Sequence, residues 1–425
     1  KNYHRVTWIK MPRTNSQKMA VKPQLANRRT CTGCMACVDV CPHGALKSYM
    51  GRDGHLYVRW NRTQCIGCNI CSRTCPIVSG HEPTPGKSEI FAAWANDETL
   101  RMKSSSGGVF AALAVEILAQ GGVVFGAAMN GTVVVHRAIE RIEDLEALQG
   151  SKYQQGDLSG VYRKAREYLR EGRPVLFSGV PCQIAGLYGV LGGRRPDNLL
   201  TVDLVCSGFP SQLPLLSFLN HESYGKIVTL TYRDKRDGWY NDIKQKISSQ
   251  DLTLYPMHKM PIKYYGGLVY KAFGSHLTNR TSCLNCRFAK IHRIADLTLA
   301  DFWGDQDHPD QHYAGVSAVI VHNNNVRDVI AKANLSIYPT TWGKFLQINY
   351  RMICGKHSFI SLHPGRWLRT IAFTKGSYTL QQHIFYAKPI NPFTFLYRAW
   401  GGLLTRMSRI RINRVVNQSI KNLDR

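Results

Sequence analysis

Two periods of apolar and polar residues alternate along the middle of the chain, from Ser88 to about Asn323. Short apolar runs typical of buried strands are separated by segments with apolar residues at helical spacing. The predicted strands are Ile90–Trp94, Val123–Met129, Val133–Ile139, Val175–Phe177, Leu199–Val205, Ile227–Tyr232, Leu297–Phe302 and Val316–Val321. The predicted helices are Gly107–Gln120, Gly160–Glu171 and Ser211–Asn220. This succession predicts an α/β or α+β domain around a mixed sheet, and it lacks the glycine fingerprint of a Rossmann NAD site.

Two further patterns flank this region. Residues Ala45–Trp60 alternate around Gly51–Gly54, which predicts a β-hairpin with a tight turn. Near the C terminus, apolar residues recur at helical spacing at Phe393, Leu396, Trp400, Leu403, Leu404, Met407 and Ile410. Arginines stand among them at Arg398, Arg406, Arg409, Arg411 and Arg414. The pattern predicts a basic amphipathic helix, which would lie on an anionic membrane surface, dock on an acidic partner or pack on its own domain.

The patterns divide the chain into four parts: a basic leader (1–30), a cysteine-rich domain (31–80), the sheet domain (88–323) and a C-terminal extension (324–425). The Pro-rich segment His81–Lys87 predicts a linker between the second and third parts. The leader lacks the apolar core of a secretory signal. The most apolar segment, Val109–Met129, is interrupted by polar residues and glycines, which favours a buried helix and strand over a membrane span.

The formal net charge of +27 is strongly basic for 425 residues. Such a charge favours a polyanionic partner, and nucleic acid is the first class to consider. No recognised nucleic-acid-binding fold accompanies the charge, so nucleic acid is disfavoured. An anionic cofactor, an acidic redox partner protein or peripheral membrane contact would also suit a basic surface. Thirteen cysteines favour a reducing compartment, which predicts a cytoplasmic protein, with a peripheral position at the inner membrane face as an open alternative.

Eight cysteines stand in two runs of identical spacing. Each run reads C-x2-C-x2-C-x3-C-P, at Cys31–Pro42 and Cys65–Pro76, which is the spacing of bacterial ferredoxins. In this arrangement the first three thiolates of a run bind one [4Fe–4S] cluster and the fourth reaches the other cluster. The predicted ligand sets are Cys31, Cys34, Cys37 and Cys75 for the first cluster, and Cys65, Cys68, Cys71 and Cys41 for the second. Zinc favours separated C-x2-C pairs, so this segment resembles a two-cluster ferredoxin.

Two short segments have the residues that bind anions. Ser105, Ser106, Gly107 and Gly108 precede an apolar helix, where serines can cap the first turn and glycines let backbone N–H groups approach a phosphate. Ser151, Lys152 and Tyr153 form the second segment, in which the lysine could place a charge near a flavin or a phosphate. A plain helix cap and an ordinary surface lysine are the open alternatives.

A third group of cysteines lies in the sheet domain. Cys182 and Cys206 each follow a predicted buried strand, and Cys283 and Cys286 form one C-x2-C pair. Adjacent strand ends could present the first two thiols at one sheet edge, with the C-x2-C loop closing over them. These residues could bind a third [4Fe–4S] cluster, a zinc ion or nothing, since buried free thiols are common in protein cores.

Several motifs occur in a recognisable order: S-S-G-G-V-F, G-S-K-Y-Q, V-L-F-S-G-V-P-C-Q-I-A-G-L, D-L-V-C-S-G, Y-R-D-K-R-D-G-W, C-L-N-C and D-F-W-G. Together they resemble the beta-subunit family of coenzyme F420-reducing hydrogenases and dehydrogenases, over Ser88 to about Asn323. The resemblance implies an FAD-containing iron–sulfur oxidoreductase, with a mixed-sheet FAD-binding domain that follows a ferredoxin-like domain. Relatives exchange electrons with the deazaflavin F420 or with other organic acceptors.

The resemblance also implies the positions of the cofactors. FAD would lie near Ser105–Gly108, Ser151–Tyr153, Arg233, Lys235 and the turn that contains Asp301, Trp303 and Gly304. A cluster beside the flavin would be bound by Cys182, Cys206, Cys283 and Cys286. The chain departs from the family at Ser207, where relatives commonly have histidine. No catalytic acid or base is assigned, and the alternative functions are an electron-relay subunit of a larger complex and a membrane-docking scaffold with structural clusters.

Overall fold

The computed structural model describes residues 22–79, 88–219, 229–233, 235, 238–239, 244–248, 252–256, 276, 278–353 and 392–423. The strands in these ranges are β1 (Leu46–Met50), β2 (Leu56–Trp60), β3 (Glu89–Ala95), β4 (Val123–Asn130), β5 (Val133–Ile139), β6 (Val175–Gly179), β7 (Leu199–Leu204), β8 (Thr229–Thr231), β9 (Lys244–Ser248), β10 (Leu252–Pro256), β11 (Leu297–Asp301), β12 (Ser317–Val321) and β13 (Leu335–Pro339). The α-helices in these ranges are α1 (Ala36–Asp39), α2 (Ile70–Thr74), α3 (Glu98–Lys103), α4 (Val109–Ala119), α5 (Val161–Arg170), α6 (Pro181–Val190), α7 (Leu213–Leu219), α8 (Thr281–Leu284), α9 (Arg327–Lys332), α10 (Trp342–Ile348) and α11 (Pro392–Leu423).

An eight-stranded mixed sheet forms the centre of the fold, in the order β13-β3-β12-β11-β7-β6-β4-β5. The four strands β4, β6, β7 and β11 run parallel, whereas β5, β12, β3 and β13 pair antiparallel with their neighbours. Parallel strands are covered on both faces and are therefore continuously apolar, and all five residues of β6 are buried. The predicted mixed α/β architecture is confirmed. The ends of two predicted elements, residues 220 and 227–228, lie outside the described residues.

Helices cover both faces of the sheet. Side chains alternate along β6, so that Leu176 packs in a core with α4, while Val175 and Phe177 pack in a second core with α5 and α6. A third core forms around Phe302, Phe345 and Val416, where α10 and α11 meet the sheet. The domain therefore has helical layers on either side of one sheet.

The cysteine-rich segment is built on the predicted hairpin. Strands β1 and β2 pair antiparallel from Leu46 opposite Trp60 to Met50 opposite Leu56. The turn contains Gly54 at a φ of 72°, and a Cβ there would also lie 2.4 Å from the Ser211 hydroxyl oxygen. Glycine is therefore required at this position both by the backbone conformation and by the contact with the sheet domain.

Helix α6 packs tightly on the cysteine-rich segment through two glycines. A Cβ at Gly186 would lie 3.3 Å from the Cys34 Sγ atom, and a Cβ at Gly189 would lie 2.2 Å from the Thr74 carbonyl oxygen. Cys34 and Met35 are buried in the same core as α6. A side chain at Gly189 would therefore push the helix away from the segment, and one at Gly186 would crowd Cys34.

Polar contacts reinforce this packing. The buried Asp39 carboxylate accepts hydrogen bonds from the backbone N–H groups of Gly160, Tyr162 (2.9 Å) and Arg163 (3.1 Å), which cap the first turn of α5. The Tyr162 hydroxyl donates to the Cys34 carbonyl oxygen at 2.9 Å. Both segments therefore supply groups that satisfy the other's buried backbone.

The long helix α11 runs through Gly401–Gly402 without interruption. Leu404, Ser408 and Val416 are buried, so one face packs on the protein. Within the described residues, no helix is long and apolar enough to cross a membrane.

We predict that Asp39→Ala lowers the free energy of unfolding by about 1–3 kcal/mol, because it removes a helix cap and leaves buried N–H groups without an acceptor. Asp39→Asn should lose less, since its amide oxygen can still accept. The measurement is thermal unfolding followed by circular dichroism under anaerobic conditions. Asp144→Ala, which removes an exposed carboxylate paired with Arg141, is the control. Equal losses for Asp39→Ala and Asp144→Ala would contradict the role given to the cap.

Candidate iron–sulfur and cofactor sites

The two cysteine runs fold into matching loops. Gly33 and Gly67 both have positive φ, of 70° and 74°, and Met35 and Asn69 follow at 66° and 56°. Met35 and Asn69 each precede a short helix, α1 or α2. Two left-handed residues in each loop bend the backbone inward between consecutive cysteines. The repeat in sequence is therefore also a repeat in backbone conformation.

The thiols of the two runs lie close enough to one another to affect their pKa values. Burial raises the pKa of Cys37 well above its ordinary value, and the nearby thiols of Cys34, Cys31 and Cys75 raise it further. Burial likewise raises the pKa of Cys71, with smaller contributions from Cys41 and Cys68. Cys75 thus lies near cysteines of the first run, and Cys41 lies near Cys71 of the second run. A cationic iron core would offset the repulsion within each group.

The four cysteines of the sheet domain also come together. Burial raises the pKa of Cys182, and the thiols of Cys206, Cys283, Cys286 and Cys34 add to the shift in that order. Burial raises the pKa of Cys206 to about 12 and that of Cys283 to about 11. Cys182 lies in the first turn of α6, just after β6. The sequence-predicted group is therefore assembled, and it lies beside Cys34 of the first ferredoxin group.

Backbone N–H groups point at two of these sulfurs. Gly208 donates to the Cys206 Sγ atom at 3.3 Å, and Phe209 donates to the Cys283 Sγ atom at 3.4 Å. Hydrogen bonds of this kind stabilise thiolates and help to set cluster potentials. Gly208 has a φ of 100°, and a Cβ there would meet Asn279 at 2.4 Å and Cys283 at 3.0 Å. The loop thus requires glycine in order to close over the group.

A histidine lies close to the position where the chain departs from its relatives. His276 hydrogen-bonds the Ser207 carbonyl oxygen, and Asn279 Nδ2 donates to the same oxygen at 2.8 Å. An imidazole is therefore present beside the loop of Cys206, although it comes from a different part of the chain. Within the described ranges, no group of three His, Cys, Asp or Glu side chains could hold a single metal ion.

Sheet topology brings the third cysteine group close to the candidate flavin residues. β6, β7 and β11 are neighbours and run parallel, so their carboxyl ends lie at the same edge. Cys182, Cys206 and Asp301 lie at or just after these three ends. Ligands of α/β sheets commonly bind at this edge.

Arg233 is the centre of the candidate cofactor site. Its guanidinium contacts the Asp301 carboxylate at 2.9 Å, the Ser105 carbonyl oxygen at 2.9 Å and the Tyr153 hydroxyl at 3.4 Å. Burial alone would lower the pKa of Arg233, but Asp301 and Tyr153 raise it overall. Its buried Nε atom has no partner among the described residues. This orphaned donor is what a bound anionic group could satisfy.

Lys235 adds a second buried cation. Its Nζ atom donates to the carbonyl oxygens of Arg101, Ser106 and Ala314 at 2.7, 2.6 and 2.5 Å. Burial lowers the pKa of Lys235 to about 7, and the neighbouring Arg101 and Arg233 lower it further. A bound anion would raise that pKa again, so the group favours negative charge nearby.

The remaining predicted residues surround this centre, but several are bonded within the chain. The Ser105 hydroxyl accepts from the Ser151 N–H at 2.5 Å, and the Ser106 hydroxyl donates to the Val316 carbonyl oxygen at 2.8 Å. The Lys152 Nζ atom donates to the Gln149 carbonyl oxygen at 2.8 Å, and burial lowers the pKa of Lys152 to about 7. The structure thus brings these residues together, but their hydroxyl and ammonium groups are hydrogen-bonded to other atoms of the protein.

Three glycines of the predicted site are explained by packing. A Cβ at Gly107 would lie 2.5 Å from the Ala93 carbonyl oxygen, and one at Gly304 would lie 2.7 Å from the Lys344 carbonyl oxygen. Gly108 has a φ of 82° at the N-cap of α4. Trp303 stacks on Trp239, with ring centroids 4.1 Å apart, and lies under Arg233. The buried cations, and the Arg233 Nε atom that has no partner among the described residues, are the features that fit an anionic cofactor such as FAD.

Three models of known protein families match the sequence. The model of a 4Fe–4S dicluster domain matches residues 30–80. The models of the coenzyme F420 hydrogenase/dehydrogenase beta subunit match residues 90–162 with the N-terminal part and residues 172–341 with the C-terminal part. These two matches together span more than half of the chain. The chain belongs to the coenzyme F420 hydrogenase/dehydrogenase beta-subunit family. It is an iron–sulfur oxidoreductase with an N-terminal ferredoxin-type domain.

Several chains of solved structures match this family member. One of them is a chain in a structure of the xenon-derivatised F420-reducing [NiFe] hydrogenase complex from Methanosarcina barkeri. The two chains are 19% identical, with a TM-score of 0.42 over 61% of this chain and 85% of the other. No curated protein matches the sequence.

Sequence reasoning missed two arginines of this family member. Arg101 Nη2 donates to the Gly315 carbonyl oxygen at 2.7 Å, and burial lowers the pKa of Arg101 to about 10. Arg280 Nε donates to the Cys31 carbonyl oxygen at 2.6 Å, which joins the loop of Cys283 to the first ferredoxin group. Arg280 lies three residues before Cys283, and this position could have indicated a role near the cysteine group. Arg101 lies in a charged helix, and no sequence pattern distinguishes it from a surface arginine.

We predict that replacing both Cys283 and Cys286 with serine lowers the iron content of the reconstituted protein by about four per chain, from about twelve. Bound flavin should be unchanged, because the Arg233 group keeps its residues. The measurement is iron and flavin analysis after anaerobic reconstitution. The matched control is Ser282→Ala in the same loop, which removes a hydroxyl that donates to Cys31 but no thiol. A wild-type protein with flavin and only about eight irons would contradict the third ligand set.

Proposed function

We propose that this protein passes electrons between its two ferredoxin-type clusters and an FAD held by the Arg233 group, through a third [4Fe–4S] cluster on Cys182, Cys206, Cys283 and Cys286. When bound, FAD exchanges a hydride with a small organic molecule, such as coenzyme F420, and exchanges single electrons with the clusters. The observation that carries the proposal is the position of Cys182. Its thiol is close enough to Cys206, Cys283, Cys286 and Cys34 for each of them to raise its pKa.

The residues of the chain would act by position and charge. Arg233 and Lys235 would stabilise negative charge on the cofactor, since both are buried and neither is matched by a carboxylate other than Asp301 among its described hydrogen bonds. A preorganised buried cation is worth more to a developing anion than a solvated one. Trp303, stacked on Trp239 and lying under Arg233, would hold the guanidinium in place beside the cofactor. We also propose that the ferredoxin domain extends over residues 31–80 and that the FAD-binding domain extends over residues 88–323.

The test is to reconstitute the protein anaerobically with iron, sulfide and FAD and to add reduced coenzyme F420. The flavin absorbance should bleach first, and the cluster absorbance should follow. Arg233→Met should weaken FAD binding about 10–100-fold, as expected for the loss of charge-assisted hydrogen bonds. Arg170→Met, at the exposed end of α5, is the matched control.

The alternatives give different outcomes in the same experiment. A protein that binds FAD and is reduced only through its clusters by a partner would be an electron-relay subunit. A protein that holds clusters but no flavin, with or without the Arg233 change, would contradict the proposed function and leave a scaffold with structural clusters.

A second part of the proposal concerns the place of action, namely peripheral contact of the cytoplasmic protein with an anionic membrane surface through α11. The side chains of Trp400, Leu403, Met407 and Ile410 are 51%, 47%, 43% and 63% exposed, although they are apolar. Their spacing of three and four residues puts them on one face of the helix. The helix contains six Lys and Arg residues and no Asp or Glu. An exposed apolar stripe among cations suits an anionic lipid surface.

We predict that replacing Arg406, Arg409, Arg411 and Arg414 with glutamine weakens binding to vesicles that contain phosphatidylserine. Each arginine near such a surface contributes about 1 kcal/mol, and the effect falls with salt. The measurement is vesicle co-sedimentation at low and high salt. The control replaces four exposed arginines outside α11, namely Arg141, Arg170, Arg194 and Arg327. Equal binding by both variants, or no binding by the wild type, would contradict membrane contact through this helix.

A further inference from the structure

The ferredoxin domain has an unbalanced surface charge. All eight Lys and Arg side chains in 22–79 are exposed, whereas neither of its two carboxylates is fully exposed. Asp39 is buried against α5, and Asp53 is half-buried, where it accepts from the Tyr57 hydroxyl at 2.8 Å and pairs with Arg28 at 3.1 Å. The exposed cations of the domain are Lys22, Arg28, Arg29, Lys47, Arg52, Arg59, Arg62 and Arg73. This surface therefore repels a second copy of itself and attracts an acidic protein.

The second cysteine group lies under this surface. Among the described cysteines, only Cys68 is exposed, while Cys34, Cys71, Cys75 and Cys182 are buried. Ile66, two residues before Cys68 in the sequence, is 65% exposed and is the most exposed large apolar side chain of the described residues. An Arg73 Nη1 atom lies 3.5 Å from the Cys68 carbonyl oxygen. A cluster on this group would thus be the one nearest to solvent, with an apolar contact point and a cation beside it.

The other two groups are turned inward. Cys34 of the first group and Cys182 of the third group lie in the interface between the ferredoxin domain and α6. Electron transfer between proteins falls steeply with distance, so a partner must approach the most exposed centre. An apolar contact surrounded by cations is the arrangement of interfaces that associate by electrostatic steering.

We propose that the face formed by Cys68, Ile66 and Arg73, together with the exposed Arg62 that lies six residues before Cys68 in the sequence, is the docking surface for an acidic one-electron carrier protein. The inference rests on the proposed function, which supplies the onward route to the flavin. One electron leaves the reduced carrier, whose own centre is oxidised by one unit, and reduces the second cluster from the 2+ to the 1+ state. No bond forms or breaks, and no proton is required.

The test uses an acidic bacterial two-[4Fe–4S] ferredoxin and the reconstituted full-length protein. Binding of the oxidised ferredoxin is measured by titration calorimetry, and reduction by the reduced ferredoxin is measured by stopped flow, both over a range of salt concentrations. In the wild type, both should weaken steeply as salt rises, because Coulomb attraction between exposed charges is screened. The double change Arg62→Glu and Arg73→Glu should lower the association rate at low salt about 10-fold or more.

The controls separate docking from the proposed internal route. Arg141→Glu with Arg170→Glu makes the same charge change in the sheet domain and should leave ferredoxin binding within about twofold of wild type. Reduction of the clusters by dithionite, and of the flavin by reduced F420, should be unchanged in both double variants. Ile66→Ser should weaken binding without changing the salt dependence, because it removes apolar contact and no charge.

Three results would overturn the proposal. Ferredoxin reduction that does not depend on salt would exclude steering by this surface. Equal slowing by the two double variants would show that only net charge matters. A loss of vesicle binding in Arg62→Glu with Arg73→Glu, with ferredoxin binding intact, would assign the surface to lipid. If ferredoxin docks normally but reduced F420 does not reduce the flavin, the proposed function is contradicted and the docking surface is not.

Discussion

The close packing of α6 on the ferredoxin domain is the contact on which the rest of the arrangement depends. Two glycines, Gly186 and Gly189, let the helix approach Cys34 closely and approach the Thr74 carbonyl oxygen at a distance that leaves no room for a side chain. The same helix has Cys182 in its first turn. Because interiors are close-packed and transmit displacement, the position of the third cysteine group is set by the position of the first. Asp39, Tyr162 and Arg280 add hydrogen bonds across the contact, so the two domains form one body at this point.

The buried thiols and the buried cations of the protein lie in separate but neighbouring places. The thiols are buried and their pKa values are raised, which an iron core would reverse. Buried cations gather at the neighbouring sheet edge instead, at Arg233 and Lys235. The outer face of the ferredoxin domain is basic throughout. An electron entering near Cys68 would therefore move from a cationic surface, through buried thiol-bound centres, to a second cationic group that favours a reduced anionic cofactor.

Much of the fold could be predicted from the sequence, because its central strands are parallel and buried and so read as continuous apolar runs. The ferredoxin groups could be predicted because their spacing has one chemical use. Helix α6 was not predicted as a helix, since all ten of its residues are buried and it has no polar face to create a period. The cap from Asp39 to α5 and the bond from Arg280 to Cys31 join residues more than a hundred positions apart, which local patterns do not encode. The hairpin of β9 and β10 was also missed, in a segment with weak alternation.

The central claim is that the first and third cysteine groups hold clusters that lie side by side. The direct measurement is electron paramagnetic resonance of the fully reduced, reconstituted protein, with spin quantitation and power saturation. The account predicts about three cluster spins per chain, with the third signal broadened and fast-relaxing through its interaction with the first cluster. About two spins per chain, or a third signal with the line shape of an isolated cluster, would contradict it.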